Sequence, residues 1–100
     1  MAKICFSIIC TSEVEEKLLD LMLTSFPDEV FTSTPIFSHG TLPGQMSAIE
    51  QVSGRSGSVC VQLLVSHEES AELQELLRRD FSGTGIRFWA TALVVDGEIA

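Results

Sequence analysis

Twice in one hundred residues an alternating apolar run gives way to Ser-x-x-Glu and then to a helical pattern. The first passage alternates Ile4, Phe6 and Ile8 with Cys5, Ser7 and Ile9 over residues 3–10, then meets Ser12 and Glu15. The second alternates Val59, Val61, Leu63 and Val65 with Cys60, Gln62 and Leu64 over Ser58 to Val65, then meets Ser66 and Glu69. A period of two marks a strand, because successive side chains point to opposite faces. Ser followed three residues later by Glu is the spacing of a capping box, worth about 1 kcal/mol at a helix start. A chain that twice turns directly from strand into helix must lay helices against a sheet.

The first helix carries Val14, Leu18, Leu21 and Met22 on one side, and Leu19, Leu23 and Phe26 widen that side to about half the circumference. Phe26-Pro27-Asp28 stops it. The second helix aligns Leu73, Leu76, Leu77 and Phe81 and ends at Ser82-Gly83. Two more extended segments complete the pattern. Val30 to Phe37 contains Pro35, which cannot donate to a central ladder, so it is expected at a sheet edge. Ile86 to Val95 is the last, before the Asp96-Gly97 turn.

The order strand, helix, strand, strand, helix, strand predicts an α+β, ferredoxin-like βαββαβ fold. Its four-stranded antiparallel sheet carries both helices on one face. The other face would show Ile9, Leu64 and the Trp89 strand, too apolar to be left in water as one patch, so a homo-oligomer is expected to cover it. Length predicts one domain over residues 1–100. Between the two middle strands, residues 38–57 hold Gly40, Pro43, Gly44, Gly54 and Gly57, with a short Met46-to-Val52 stretch of helical character. They are expected to form a long flexible loop.

Charge narrows the function. Fourteen acidic residues against six basic ones give a net charge of −8. That argues against nucleic acid and anionic membrane surfaces, which need clustered cations. No apolar run approaches the eighteen or so residues of a membrane span, and Ile4 to Cys10 leads into Thr-Ser-Glu rather than a cleavage site, so the expected location is cytoplasmic. Cys5, Cys10 and Cys60 are odd in number and form no Cys-x-x-Cys pair; they are expected to be three small buried side chains.

Most of the charge has a structural reading. Glu13, Glu15 and Glu16 fall in the first turn of one helix and Glu68 and Glu69 in that of the other, while Arg78 and Arg79 close the second. Each complements a helix dipole. No nucleophile stands beside a base, so no catalytic residue is predicted and the chain is not expected to be an enzyme. His67 is expected to be an exposed first-turn residue. His39, ahead of Gly40, could ligate a metal or meet a phosphate. Ser82-Gly83-Thr84-Gly85-Ile86-Arg87 is a glycine-rich turn whose backbone N–H groups could approach an anion. With Lys3, Lys17, Arg78 and Arg79 assigned to the fold, Arg55 and Arg87 remain to meet such an anion. No cofactor is named by any motif.

Phe31-Thr32-Ser33-Thr34-Pro35, Ser38-His39-Gly40, Ser47-Ala48-Ile49-Glu50-Gln51-Val52-Ser53-Gly54-Arg55 and Gly85-Ile86-Arg87-Phe88-Trp89 together resemble a family of small uncharacterised P-II-like (GlnB-like) proteins. Its members are typically encoded beside heavy-metal efflux pumps of the resistance-nodulation-division (Cus/Czc) type. The resemblance runs the length of the chain, and Glu-Gln-Val-x-Gly-Arg is its most specific element. It implies a trimer built through the sheets, ligand clefts between subunits, and a regulatory protein that senses a small ligand. The implied partner is an efflux transporter or its regulator. A nucleotide or other anion would lie between Gly40 and the Gly83-to-Gly85 turn, with Arg55 and Arg87 as its cations. The chain departs from P-II proper in having Ile86 straight after the second-loop glycine and no tyrosine. The alternative is a soluble divalent-metal-binding protein similar in fold to CutA, with His39 and Glu50 as ligands.

Overall fold

The computed structural model describes residues 3–39 and 57–100, and the backbone of 55–56. Strand β1 (Ile4–Thr11) leads into helix α1 (Ser12–Ser25), then β2 (Phe31–His39) and β3 (Arg55–Val65), helix α2 (His67–Asp80) and β4 (Arg87–Ala92). The sheet order is β2-β3-β1-β4, antiparallel throughout. This is the predicted ferredoxin-like arrangement.

The register explains the two faces. Ile4, Phe6, Ile8 and Cys10 lie beside Val65, Leu63, Val61 and Val59. Leu18, Met22, Leu73 and Leu77 pack onto that row, and Phe26 and Phe81 close its ends. Phe6 stacks on Phe88, ring centroids 5.4 Å apart, across the diagonal of the β1–β4 pair. The opposite face carries the rungs Thr34–Cys60–Ile9–Arg87 and Thr32–Gln62–Ser7–Trp89. Its apolar members are interleaved with hydroxyls and amides; Gln62 Nε2 donates to Ser7 Oγ at 3.1 Å.

Several expectations need correction. Ser12 does not cap α1: Thr11 occupies that position with no side-chain bond, because β1 runs straight into the helix and Thr11 is still paired with Ser58. Ser66 has left the ladder and is free to cap. It accepts from Glu69 N at 3.1 Å, while its own N–H donates to Glu69 Oε1 at 2.9 Å. Leu23 points to solvent rather than widening the buried side of α1. Only Cys10 is buried in the core; Cys5 and Cys60 are half-buried on the opposite face. The last strand stops at Ala92 rather than Val95, since Ala92 pairs with Ile4 and β1 offers nothing further.

The 38–57 loop is also shorter at its ends than expected. Phe37↔Gly57, Ser38↔Ser56 and His39↔Arg55 are ladder pairs, formed by backbone groups that Ser and Gly supply as well as any residue. These three rungs extend beyond Thr11, where β1 ends. Met46 to Val52 lies outside the described residues. Pro35 sits in β2, an edge strand as expected.

Candidate functional site

The glycine-rich turn is built by the end of α2. Phe81 N–H donates to Leu77 O at 2.9 Å, closing the helix. Thr84 then reaches back to Phe81 O through both its N–H (3.2 Å) and its Oγ1 (2.6 Å). Winding so tightly requires left-handed backbone at Gly83 (φ 82°) and Gly85 (φ 79°). A Cβ at either would meet no atom within 4 Å, so glycine is required by conformation and not by crowding. Lys17 anchors the same helix end: its Nζ donates to Asp80 O at 3.0 Å and lies 4.9 Å from the Phe81 ring centroid. That places a cation where the α2 dipole is negative.

Beside the turn lies a groove of about 290 Å³, with Leu77, Phe81, Ile86 and Phe88 as apolar walls and Gly83 and Gly85 at its rim. Arg78 also lines it. From sequence Arg78 is assigned to the helix dipole alone; its place one residue after the core residue Leu77 is the available signal. Arg78 is held by Glu75 at 3.0 Å. Arg79 forms a two-pronged pair with Asp80, 3.0 and 3.2 Å, and this guanidinium holds the Asp80 carboxyl below its ordinary range.

Arg87 follows the turn but pairs with Ile9, so it belongs to the open face of the sheet, whereas Phe88 belongs to the groove. It is exposed and forms no ion pair with another described residue. His39 is exposed at the end of β2, directly across from Arg55. The pairings Ile9↔Arg87, Thr11↔Ser58 and His39↔Arg55 put Arg87 and the hairpin at one end of the sheet, on opposite edges. Gly83 and Gly85 are thus brought together, and His39 with Arg55, but one protomer does not bring the two pairs to each other. Gly40 and Glu50 lie outside the described residues. His67 is exposed in the first turn of α2, as expected.

The thiols differ in character. Burial, then the carboxylate of Glu15 and the neighbouring Cys60, push Cys10 up to about 11. Cys60 is raised by burial and by Cys5. Neither is an activated thiolate. Among the described residues no three His, Cys, Asp or Glu side chains gather to hold a metal ion. No helix among them is long and apolar enough to cross a membrane.

Comparison with known proteins agrees with this architecture. A DUF3240 family protein from Shewanella baltica OS155 overlays with a TM-score of 0.77 at 12% identity, covering 100% of this chain and 99% of that one. CPII, a nitrogen regulatory PII-like protein from Thiomonas intermedia K12 solved with ADP, AMP and bicarbonate, overlays at TM-score 0.74 and 15% identity over 99% and 98% of the two chains. At these identities the likeness establishes a PII-like fold. A Desulfotalea psychrophila protein named as a candidate nickel insertion protein is 29% identical over 80 residues, 75% of this chain. This chain spans only 20% of that relative's length. The family described as "Protein of unknown function (DUF3240)" matches residues 1–100, and the chain belongs to it.

Proposed function

We propose that this protein is a non-enzymatic regulator of the PII-like kind, a homotrimer that takes up a small anionic ligand and reports it to a partner through the β2–β3 hairpin. One observation carries the reading: the Gly83–Gly85 turn with Arg87, and the hairpin with His39 and Arg55, sit at one end of the sheet on opposite edges. In a ring of copies the turn of one protomer would face the hairpin of the next, and a ligand between them would touch both. The ligand classes are adenine nucleotides and bicarbonate, as in the Thiomonas protein of the same fold. Gly40, Arg55, Gly83, Gly85 and Arg87 are the residues proposed to meet it. Ligand binding would shift the hairpin between two arrangements by its differential affinity for them. The partner we propose is a heavy-metal efflux transporter or its regulator, met in the cytoplasm; the nickel-related name of the Desulfotalea relative supports metal handling as the process.

That same relative favours a second reading, a divalent-metal-binding protein using His39 and Glu50. Thermal unfolding in the presence of ADP, AMP, ATP, bicarbonate, and Ni, Co, Zn, Cd or Cu ions separates the two. A ligand at one hundred times its Kd stabilises by about 2.7 kcal/mol. The regulatory reading expects a shift with a nucleotide or bicarbonate that Arg87→Ala abolishes, and no shift with any of them overturns it. A metal shift abolished by His39→Ala would establish the second reading in its place.

A further inference from the structure

The groove beside the glycine-rich turn has a chemistry of its own. Its floor is core: Leu77 and Phe81 are buried, and Ile86 packs against the same cluster. Phe88 forms a wall and keeps 38% of its surface open, although its ring stacks on Phe6. The volume of about 290 Å³ is close to the lower end of the range for small-molecule sites. Around this hydrocarbon stand donors. Arg78 gives one N–H to Glu75 at 3.0 Å, and its other N–H groups meet no partner among the described residues. The backbone N–H groups of Ser82, Gly83 and Gly85, on the rim, likewise donate to no described residue. A Cβ at Gly83 or Gly85 would meet nothing within 4 Å, so the space over that rim is open. The chain has fourteen acidic residues, yet no described acid lines the groove. Three of its six basic residues, Lys17, Arg78 and Arg79, meet at this end of α2.

We propose that this groove binds a short-chain fatty acid, its carboxylate on Arg78 and the rim N–H groups and its tail over Leu77, Phe81, Ile86 and Phe88. The walls select hydrocarbon, and the donors select an anionic head. A carboxylate matches the planar fork of a guanidinium. A multiply charged phosphate would suffer more from the last carbonyls of α2, where the helix dipole is negative, and a cation would be repelled by Arg78. The Arg78–Glu75 pair is no obstacle. Both side chains are more than half exposed, and a surface pair of this kind contributes little, so a ligand carboxylate can join or replace Glu75. The site is separate from the anion reading above, because Phe88 belongs to the groove and Arg87 to the open face of the sheet.

The test is a titration of the isotope-labelled full chain with hexanoate, followed by amide NMR shifts. Acetate supplies the head alone, hexanol the tail alone and hexylamine the reversed charge. The expected result is saturable shifts at Leu77, Phe81, Gly83 and Gly85 with hexanoate, none with acetate, and roughly tenfold weaker binding of hexanol and hexylamine. Arg78→Gln should weaken hexanoate roughly tenfold, and Arg78→Lys, which keeps the charge, should lose less. The Arg78 side chain is 60% exposed, so the fold is not at stake, and unchanged amide shifts along β1 and β3 check this. Absence of shifts, equal binding of hexanol, or an affinity untouched by Arg78→Gln overturns the proposal. Shifts confined to Ile9, Cys60 and Arg87 also overturn it, since they put the acid on the open face.

Discussion

The two faces of this sheet are made by the same strands and have opposite fates. Phe6, Ile8 and Val61 are fully buried beneath two helices, while one residue away along each strand Ser7, Ile9 and Gln62 belong to a face that no helix among the described residues covers. Leu64 and Trp89 remain 37% and 50% exposed there. The difference is one of composition within a single register. The covered side is continuous hydrocarbon; the open side alternates apolar groups with hydroxyls and amides that bond to each other. Such a side tolerates water yet can be dehydrated against another surface at modest cost, as interfaces that form after folding require.

Three perturbations would break or sharpen this contrast. The largest effect is expected from Phe6→Ala, which removes a fully buried ring stacked on Phe88 and should cost about 3–5 kcal/mol in urea unfolding, against about 1 kcal/mol for Trp89→Ala. An equal loss at Trp89 would mean that the open face is sealed as firmly as the other. Next comes thiol chemistry at pH 8, followed residue by residue with an aromatic disulfide. Cys10, raised from 9.0 to about 11, should hold about a hundredth of the thiolate of an unshifted cysteine and be the slowest of the three; equal rates in the folded protein would contradict its burial.

The smallest effect lies at the helix starts. Ser66→Ala should cost about 1 kcal/mol and Ser12→Ala only a few tenths, since one serine caps and the other does not. The same site sets an acid response. The Ser66 N–H, donated to Glu69, is the main cause holding that carboxyl below 4.5, with the Ser66 hydroxyl, Glu29 and Lys3 assisting. A lowered folded value means that this contribution is complete above pH 4.5 and is lost as pH falls through the folded value. Glu69→Gln should therefore flatten the acid limb of stability against pH. An unchanged acid limb would remove the capping box as its source.

The fold was legible because its elements announce themselves in side chains. The alternation around Phe6 and Val61, the breaker at Pro27 and the proline in β2 each have a local cause that survives in the structure. The reading failed where backbone decides. Ser12 and Ser66 share one spacing, and only the strand end at Thr11 or Val65 determines which can cap. Rungs at Ser56 and Gly57 carry no apolar signature, so the ladder's continuation was invisible. At the candidate site, Gly83 and Gly85 were readable as a turn. That Arg87 opens to one face and the groove to the other follows from a register that no single segment encodes.

The overhanging hairpin has a mechanical consequence. Past the Thr11↔Ser58 pair, Phe37–His39 and Arg55–Gly57 pair with each other beyond the end of β1, and among the described residues no third strand continues beside them; the Ser38–Ser58 hydroxyl bond of 2.8 Å lies at the root of this ribbon. Isolated ribbons twist and bend more cheaply than sheets. Three rungs make an arm of roughly 10 Å, so a tilt of about 10° at that fulcrum carries His39 nearly 2 Å while the core stays in place. A tilt of this kind would make the ribbon a lever that carries His39 about a pivot of two serines.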